Sequence, residues 1–419
     1  MLRLSFTLLV LLLAGLSDLT NLADFATAKR LAGQGQHFLV LQRDGQVFAV
    51  GRNDYGQLGL NTTTNALLPQ AMLSVINATD ISTGAHHSCL IDRGSKVKCT
   101  GRNDDYQLGD GTYTDKHMLV PTIGLNSGIE EVYCGYYGSC ARATSGNAQC
   151  WGYVANVGRD PPVSIIVSGG IQSISLGNQH ACIVAVGGKL YCAGDNYSGQ
   201  LGTGNTTPQS APTQVVGLAA ENIVSAACGL EHTCAVNAAG AVFCWGRDAY
   251  GQLGNPSITS NSSNPVQVVG IASGAASAWA GLCDSFVLMQ NGTVWAFGMD
   301  VYGVFGTGST GNQLVPIVFG QGVSGVVEVC GGYYTTCVLL QNDQVKCTGS
   351  NAYGQLGVGN NTIFQTLVEM QLPTSAPTSP THTPSPVSTV APTKSAVALN
   401  AKISAVASGM VGAVVLLLL

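Results

Sequence analysis

Apolar residues in this chain come in short segments that close on glycine, a pattern of strands and tight turns rather than of helices. Between Leu31 and Leu372 the pattern recurs. Taking the glycine that ends an apolar strand as the anchor of each unit picks out Gly51, Gly101, Gly152, Gly194, Gly246, Gly298 and Gly349, with spacings of 50, 51, 42, 52, 52 and 51. The residues four and two before an anchor share one strand face. The first of these positions holds Val47, Val97, Ala148, Leu190, Val242, Val294 and Val345, all apolar, which predicts a buried face. Six to eight residues before the anchor lies a turn such as Arg43-Asp44-Gly45 or Gln290-Asn291-Gly292, whose glycine suits positive φ. Each unit therefore predicts an antiparallel hairpin centred seven residues before its anchor. A Gly-Gln-Leu-Gly tetrapeptide follows the anchor, intact at 56–59, 199–202, 251–254 and 354–357, altered at 106–109 and 303–306, and lost in the third unit. Seven units of this length predict seven blades.

The hairpin register sets residues twelve and two before the anchor opposite one another. Those positions hold Cys89 and Cys99, Cys140 and Cys150, Cys182 and Cys192, Cys234 and Cys244, and Cys337 and Cys347, ten of the 14 cysteines. The two exceptions lose both members together, Leu39 with Ala49 and Phe286 with Ala296. Loss in pairs is what bonded partners show, and opposed strand residues have Cα atoms about 4.5–5.5 Å apart, within disulfide range. Two thiolates per blade leave zinc short of four ligands, so no metal site is expected. Of the four remaining cysteines, Cys134, Cys228 and Cys330 stand 18 or 19 residues before their anchors and Cys283 stands 15 before its own. Units six and seven are neighbours, which makes a Cys283–Cys330 inter-blade bridge the expectation and leaves Cys134 and Cys228 open.

The motifs His-x-x-x-L/V, D/N-G, V-x-x-W/x-G-x-N/D and G-Q-L-G, in register over residues 31–372, resemble the RCC1 family, named for the regulator of chromosome condensation. The resemblance implies an all-β, seven-bladed β-propeller of RCC1 type with four antiparallel strands per blade. Its best-known member is a guanine-nucleotide exchange factor for a small nuclear GTPase and binds chromatin. This chain has neither a basic tail nor an insertion from which an exchange wedge would protrude.

Composition narrows the partners and the compartment. Only 9% of residues are charged, and the net charge is −5 with no Lys/Arg-rich block. A nucleic-acid surface needs a basic stripe to displace counterions, so no nucleic-acid partner is expected. Fourteen cysteines without a CxxC pair point to an oxidising compartment. Residues 1–17 agree, with Arg3, the apolar run Leu4–Ala14 and the small residues of Gly15-Leu16-Ser17 reading as a signal peptide. Residues 373–394 are Pro/Ser/Thr-rich and read as a stalk. Residues 395–419 end in the apolar stretch Ile403–Leu419 and read as a glycolipid-anchor signal, attached at Ser395 or Asn400, or as a membrane segment. The localisation expected is the secretory pathway to the cell surface.

Candidate chemistry is sparse. His37, His87, His180 and His232 all stand fourteen residues before their anchors, and a repeated register points to a structural task. No nucleophile elbow, metalloprotease motif or phosphate-binding loop occurs, so neither an enzyme active site nor a cofactor is expected. Sequons at Asn61, Asn77, Asn196, Asn205, Asn261, Asn291 and Asn360 predict loop glycans. Tyr55, Tyr106, Tyr197, Tyr250, Tyr302 and Tyr353 recur after the anchors and read as packing between blades, whereas the pairs Tyr136–Tyr137 and Tyr333–Tyr334 read as a candidate binding surface. The function expected is an extracellular, membrane-anchored scaffold that binds a protein or glycan ligand or mediates adhesion. The alternatives are a small-GTPase regulator of the exchange-factor type and a secreted enzyme inhibitor.

Overall fold

Positive-φ glycines close most of the hairpins and keep the strands short, and the computed structural model shows the consequence: seven separate four-stranded antiparallel sheets, each paired in simple sequence order. The structure describes residues 29–75, 77–155 and 162–373. The expected leader (1–17), the stalk beyond Pro373, the anchor segment and its Ser395 or Asn400 lie outside the described residues. The blades span residues 31–71, 80–121, 129–165, 171–214, 223–267, 275–318 and 326–369. Among the described residues the only helical element is a 3-10 turn at Phe319–Gln321.

The first strands are β1 (Leu31–Gly33), β5 (Asp80–Thr83), β9 (Ile129–Cys134), β13 (Ile171–Leu176), β17 (Ile223–Cys228), β21 (Ala275–Ala280) and β25 (Val326–Gly332). They touch in ring order, with β25 returning to β1, and six of them line a central cavity of about 180 Å³. The second and third strands form the expected hairpin. In every blade the residue fourteen before the anchor pairs with the anchor itself, as in His37↔Gly51, His87↔Gly101 and Thr335↔Gly349.

Both faces of that hairpin are buried, which the single apolar face of the sequence pattern did not foretell. Residues four before the anchor face one neighbouring blade, while the residues immediately before it (Val50, Thr100, Trp151, Ala193, Trp245, Phe297, Thr348) are buried on the opposite face. Trp151 Nε1 donates to the Gln107 carbonyl of the preceding blade at 2.8 Å, and Trp245 Nε1 does the same to Gln200 at 2.9 Å. Among the described residues there is no common core. The buried apolar residues form seven clusters, each shared by two neighbouring blades.

The five expected cysteine pairs stand directly opposite in register: Cys89 with Cys99, Cys140 with Cys150, Cys182 with Cys192, Cys234 with Cys244, and Cys337 with Cys347. In each pair the sulfurs are bonded and the Cα atoms lie 4.0–4.1 Å apart, slightly closer than the spacing expected of opposed strand residues. Cys150, Cys244 and Cys347, like their partners, are fully buried, so these bonds sit inside the seams between blades rather than on a surface. A Cys283–Cys330 bridge is not present: both residues are free and buried, as are Cys134 and Cys228. Cys330 lies opposite Cys337 in the register of β25 and packs into the cluster between blades 7 and 1. Cys283 precedes the second strand of blade 6, in the loop that follows β21. The third blade also departs from the repeat for a visible reason. It has Gly138 where four other blades have histidine, and a Cβ there would stand 2.3 Å from Val154 Cγ2, the side chain that takes up the space.

Ring closure joins blade 7 to blade 1 without a shared strand. Glu328 of β25 is half-buried and accepts the backbone N–H groups of Arg30 (3.0 Å to each oxygen) and Leu31 (2.8 Å). Burial pushes its carboxyl up to about 7, against those hydrogen bonds and Arg30. Nearby, Asp343 holds Arg30 at 2.7 Å and Arg43 at 2.8 Å. Glu328→Ala strands two backbone donors at the seam and is expected to cost about 1–3 kcal/mol. Urea unfolding of the two proteins measures it, and an unchanged midpoint would show that the seam does not depend on this side chain.

Candidate binding face

The loops between first and second strands meet at one end of the channel, because glycine lets their backbones touch. A Cβ at Gly84, Gly177, Gly229 or Gly332 would lie 2.0–2.5 Å from a carbonyl oxygen of the next blade's loop. Across these contacts run backbone hydrogen bonds from Tyr136 to Gly177, Asn178 to Gly229, Leu230 to Gly281 and Tyr333 to Gly35. Gln34 of blade 1 spans to the Leu176 carbonyl of blade 4 at 2.9 Å.

Beneath this mouth lies a lock between blades. His37, His87, His180 and His232 place Nε2 2.8–3.0 Å from a hydroxyl of the following blade: Ser88, Ser139, Thr233 and Ser285. Each hydroxyl in turn donates to a backbone carbonyl of the histidine's own blade: Gln57, Gln107, Gln200 and Gln252, at 2.8–3.0 Å. A carbonyl only accepts and a hydroxyl has one hydrogen, so the imidazole is the donor and its proton is on Nε2. Nδ1 is then bare, and in all four rings it has no partner. Burial pushes the imidazoles down, to about 3 for His37, His87 and His180 and about 4 for His232. These rings are structural.

The tyrosines fall differently from the expectation. Tyr136 and Tyr137 share a register with Tyr333 and Tyr334, sixteen and fifteen residues before their anchors, and the two pairs come together. Tyr136 of blade 3 meets Tyr333 of blade 7 at 5.6 Å and Tyr137 at 6.4 Å. Tyr136 is only 3% exposed, so it packs inside the mouth and is no contact residue; Tyr137, Tyr333 and Tyr334 remain half-buried. The set after the anchors, expected as inter-blade packing, packs that way in part, with Tyr55 on His86 and Tyr302 on Tyr334 of the next blade, but no member is fully buried. Tyr197 is 75% exposed and Tyr302 is exposed, while Tyr55, Tyr106, Tyr250 and Tyr353 are partly open.

Cations stack on these rings, with Arg52 over Tyr353 at 4.9 Å, Arg102 over Tyr55 at 5.6 Å and Arg247 over Tyr250 at 5.9 Å. His86 packs on Tyr55 at 5.2 Å. Burial pushes its imidazole down to about 4, with Arg52 and Arg102 adding to the effect. Asp54 pairs with Arg52, Asp104 with Arg102 and Glu231 with Arg247, so the face offers paired charges and aromatic planes rather than a field of one sign. The arginines one residue after the anchors were the missed signal. They share that register at 52, 102 and 247, and cation and ring come from neighbouring blades in two of the three pairs.

The sequons also divide. Asn61, Asn77, Asn205, Asn261, Asn291 and Asn360 are exposed. Asn196 is fully buried. Its Oδ1 accepts the Leu201 N–H at 2.9 Å and its amide donates to the carbonyls of Asn205 and Thr207, at 2.9 and 3.0 Å. The folded blade has no place for a glycan there. Two groups, His87 with Cys89 and Cys134, and His180 with Cys182 and Cys228, bring their donor atoms within 4.8 Å of one another. In each, one sulfur is already spent in a disulfide.

Two family profiles, both described as regulator of chromosome condensation (RCC1) repeat, match the chain, one at residues 44–91, 187–236 and 239–280, the other at 78–107, 171–200, 223–252 and 326–355. The ultraviolet-B receptor UVR8 of Arabidopsis thaliana is 30% identical over 241 residues, 54% of this chain and 54% of the receptor. The probable E3 ubiquitin-protein ligase HERC4 of Homo sapiens is 32% identical over 316 residues, 70% of this chain but 29% of the ligase. The chain thus spans about half the length of the one relative and under a third of the other. Human WBSCR16 superposes with a TM-score of 0.71 at 20% identity, over 78% of this chain and 94% of that one. Prp20p of Saccharomyces cerevisiae superposes at 0.70 and 17%, over 80% and 88%.

The lock predicts a pH dependence. Between about 4 and 6.5 the unfolded chain protonates His232 and the folded one does not, so the histidine's contribution is full above 6.5 and is lost as pH falls through that window. His232→Asn should cost about 2 kcal/mol at neutral pH, and the gap to the parent should shrink by on the order of 1 kcal/mol per pH unit below ~6.5. Urea titrations of both proteins between neutral pH and pH ~4.5 read the difference; a gap independent of pH contradicts the protonation state given to this ring.

Proposed function

The chain is a propeller of RCC1 repeats, and from that premise we propose that it is a disulfide-braced binding module of the secretory pathway, held at the cell surface by a C-terminal lipid anchor and taking a protein or glycan ligand on its tyrosine-rich face. The observation that carries the reading is the cystine register. Five of seven blades hold two cysteines in directly bonded positions, an arrangement that a reducing cytosol would keep open. Six exposed sequons on loops and the leader-like residues 1–17 support the same compartment.

The chemistry of the face supports binding rather than catalysis. Tyr55, Tyr197, Tyr302 and Tyr353 offer large contact area at small loss of rotamer freedom, and stacked arginines hold Tyr55 and Tyr353 in place. Paired charges favour a neutral polar ligand, a glycan or a polar protein surface, over an anionic polymer. Prp20p is described as having binding properties toward Gsp1p and histones, which is said of that protein. The weakly charged surface of this chain supports neither partner here.

Intact cells expressing the full chain should yield it to an impermeant amine-reactive label, and a phosphatidylinositol-specific phospholipase should release it. Recovery in the cytosol, with every cysteine open to alkylation before reduction, would overturn the reading. Mapping of glycopeptides on the same material should find carbohydrate on the exposed sequons and none at Asn196. A glycan on Asn196 of the folded protein contradicts the burial of its amide.

A further inference from the structure

The residue eighteen before the anchor, at the end of a first strand, faces the hairpin of the preceding blade. In two places that residue is a free, buried cysteine. Cys134 N–H is held by Ser82 Oγ of blade 2 at 2.9 Å, and Cys228 N–H by Ser175 Oγ of blade 4 at 2.9 Å, so both are seated from the neighbouring blade. The seating puts Cys134 Sγ within 4.8 Å of Cys89 Sγ, and Cys228 Sγ within 4.8 Å of Cys182 Sγ. The Ser139 hydroxyl lies between the first pair, 3.8 Å from Cys89 Sγ and 3.9 Å from Cys134 Sγ.

Elsewhere in the ring the equivalent residues are Gly33, Thr83, Leu176, Ala280 and Gly331. The thiol thus occurs only beside blades 2 and 4, and both of those carry the buried histidine and the cystine. The same constellation at two separate interfaces is a pattern rather than an accident of one loop. Metal binding would need Cys89 and Cys182 as thiolates, and both are bonded. Cys134 and Cys228 line the central cavity of about 180 Å³, where water and hydroxide can reach them, while the histidines and cystines behind them are buried. What each thiol can reach is the neighbouring disulfide.

We propose that Cys134 and Cys228 are exchange partners of the adjacent cystines, giving the propeller a second covalent form in which blade 2 is stapled to blade 3 and blade 4 to blade 5. The Cys134 thiol gives its proton to solvent base and its electron pair forms the bond to Cys89 Sγ. The electron pair of the Cys89–Cys99 bond departs on Cys99 Sγ, which takes up a proton. One disulfide and one thiol stand on each side, so no oxidant or reductant enters. Cys228, Cys182 and Cys192 exchange in the same way.

Burial sets how fast the two forms interconvert. It pushes the Cys134 thiol up to about 11 and the Cys228 thiol to about 12, and the cation facing Cys134 is Lys29. Thiolate is therefore scarce at neutral pH, and a chain that has formed the intra-blade cystines exchanges them slowly there. The exchange rate should rise about tenfold per pH unit below those values, since only the thiolate attacks.

The proposal rests on the cystines that carry the secretory reading, and the measurement separates the two. The full chain, secreted in its oxidised form, is incubated at pH ~8, ~9 and ~10 below its unfolding temperature, quenched in acid, denatured, alkylated and mapped without reduction. A growing Cys89–Cys134 peptide with Cys99 newly alkylated is expected, absent from Cys134→Ser, with the matching Cys182–Cys228 pair lost in Cys228→Ser. A Cys99→Ser chain should in addition be secreted with Cys89 bonded to Cys134. Intact Cys89–Cys99 at every pH, or bridges to random partners, overturns the exchange while leaving the cystines in place. Fourteen free thiols at time zero overturn the cystines themselves.

Discussion

Everything in this propeller depends on how one blade is held against the next, since no blade has a core of its own. The recurrent device is a two-step hydrogen bond that leaves a blade and returns to it: a histidine Nε2–H donates to a hydroxyl on the neighbour, and that hydroxyl donates to the carbonyl of the glutamine in the turn that follows the histidine's own anchor. Its geometry explains why three distant motifs recur in one register. Three of the four histidines, His87, His180 and His232, fit because a glycine three residues earlier leaves room for the ring, and a Cβ at Gly84 or Gly229 would stand 2.3–2.4 Å from the ring's Cε1; Gln34 takes that place before His37. The glutamine carbonyl is in place because an Asn or Asp two residues after the anchor caps the turn, as Asn53 does for Leu58 and Asp248 for Leu253.

Where the lock is missing the structure substitutes something else, or leaves a polar group open. Between blades 3 and 4 the substitute is Val154. Between blades 7 and 1 it is the carboxylates of Glu328 and Asp343. Between blades 6 and 7, Asp284 stands where the histidine would be, too short to replace it: its Oδ1 and the Thr336 hydroxyl that should receive a donor both lack partners. Burial pushes the Asp284 carboxyl up to about 7, which is the electrostatic mark of that mismatch.

The blade number, the hairpin register and the cysteine pairing were legible because each is a property of period two within a much longer repeat, and both periods are written in residue types. The seven clusters between blades were half legible. Alternation marks the face at Val47 and its equivalents, but the other face is filled by Val50, Thr100 and Trp151, a mixture whose burial depends on the next blade. The tyrosines mislead for the same reason. A register repeated along the chain says that residues are equivalent; it does not say whether the equivalent place is inside. Tyr136 of blade 3 is buried because it meets Tyr333 of blade 7, across a ring that no local pattern encodes. The free cysteines fall between these cases. Their register is visible, yet Cys134 belongs with Cys89 only once blade 3 is laid against blade 2.

The same close packing bears on binding. Ordering a loop costs on the order of 1–2 kcal/mol per residue in backbone entropy, and a loop that is already ordered does not lose it again when a ligand arrives. Here the mouth loops are tied to one another through carbonyl contacts that only glycine permits, so their side chains start from fixed positions. Tyr55, in the loop after the third strand of blade 1, rests on that frame: it packs on His86 of the blade 2 mouth loop and is stacked on by Arg102 of blade 2. A ring held from two blades keeps its orientation only while those blades keep theirs. The interlocking of blades below the mouth is thus also what fixes the aromatic planes above it, and a covalent staple between blades 2 and 3 would act on blade 2, the blade that supplies both Arg102 and His86 to Tyr55.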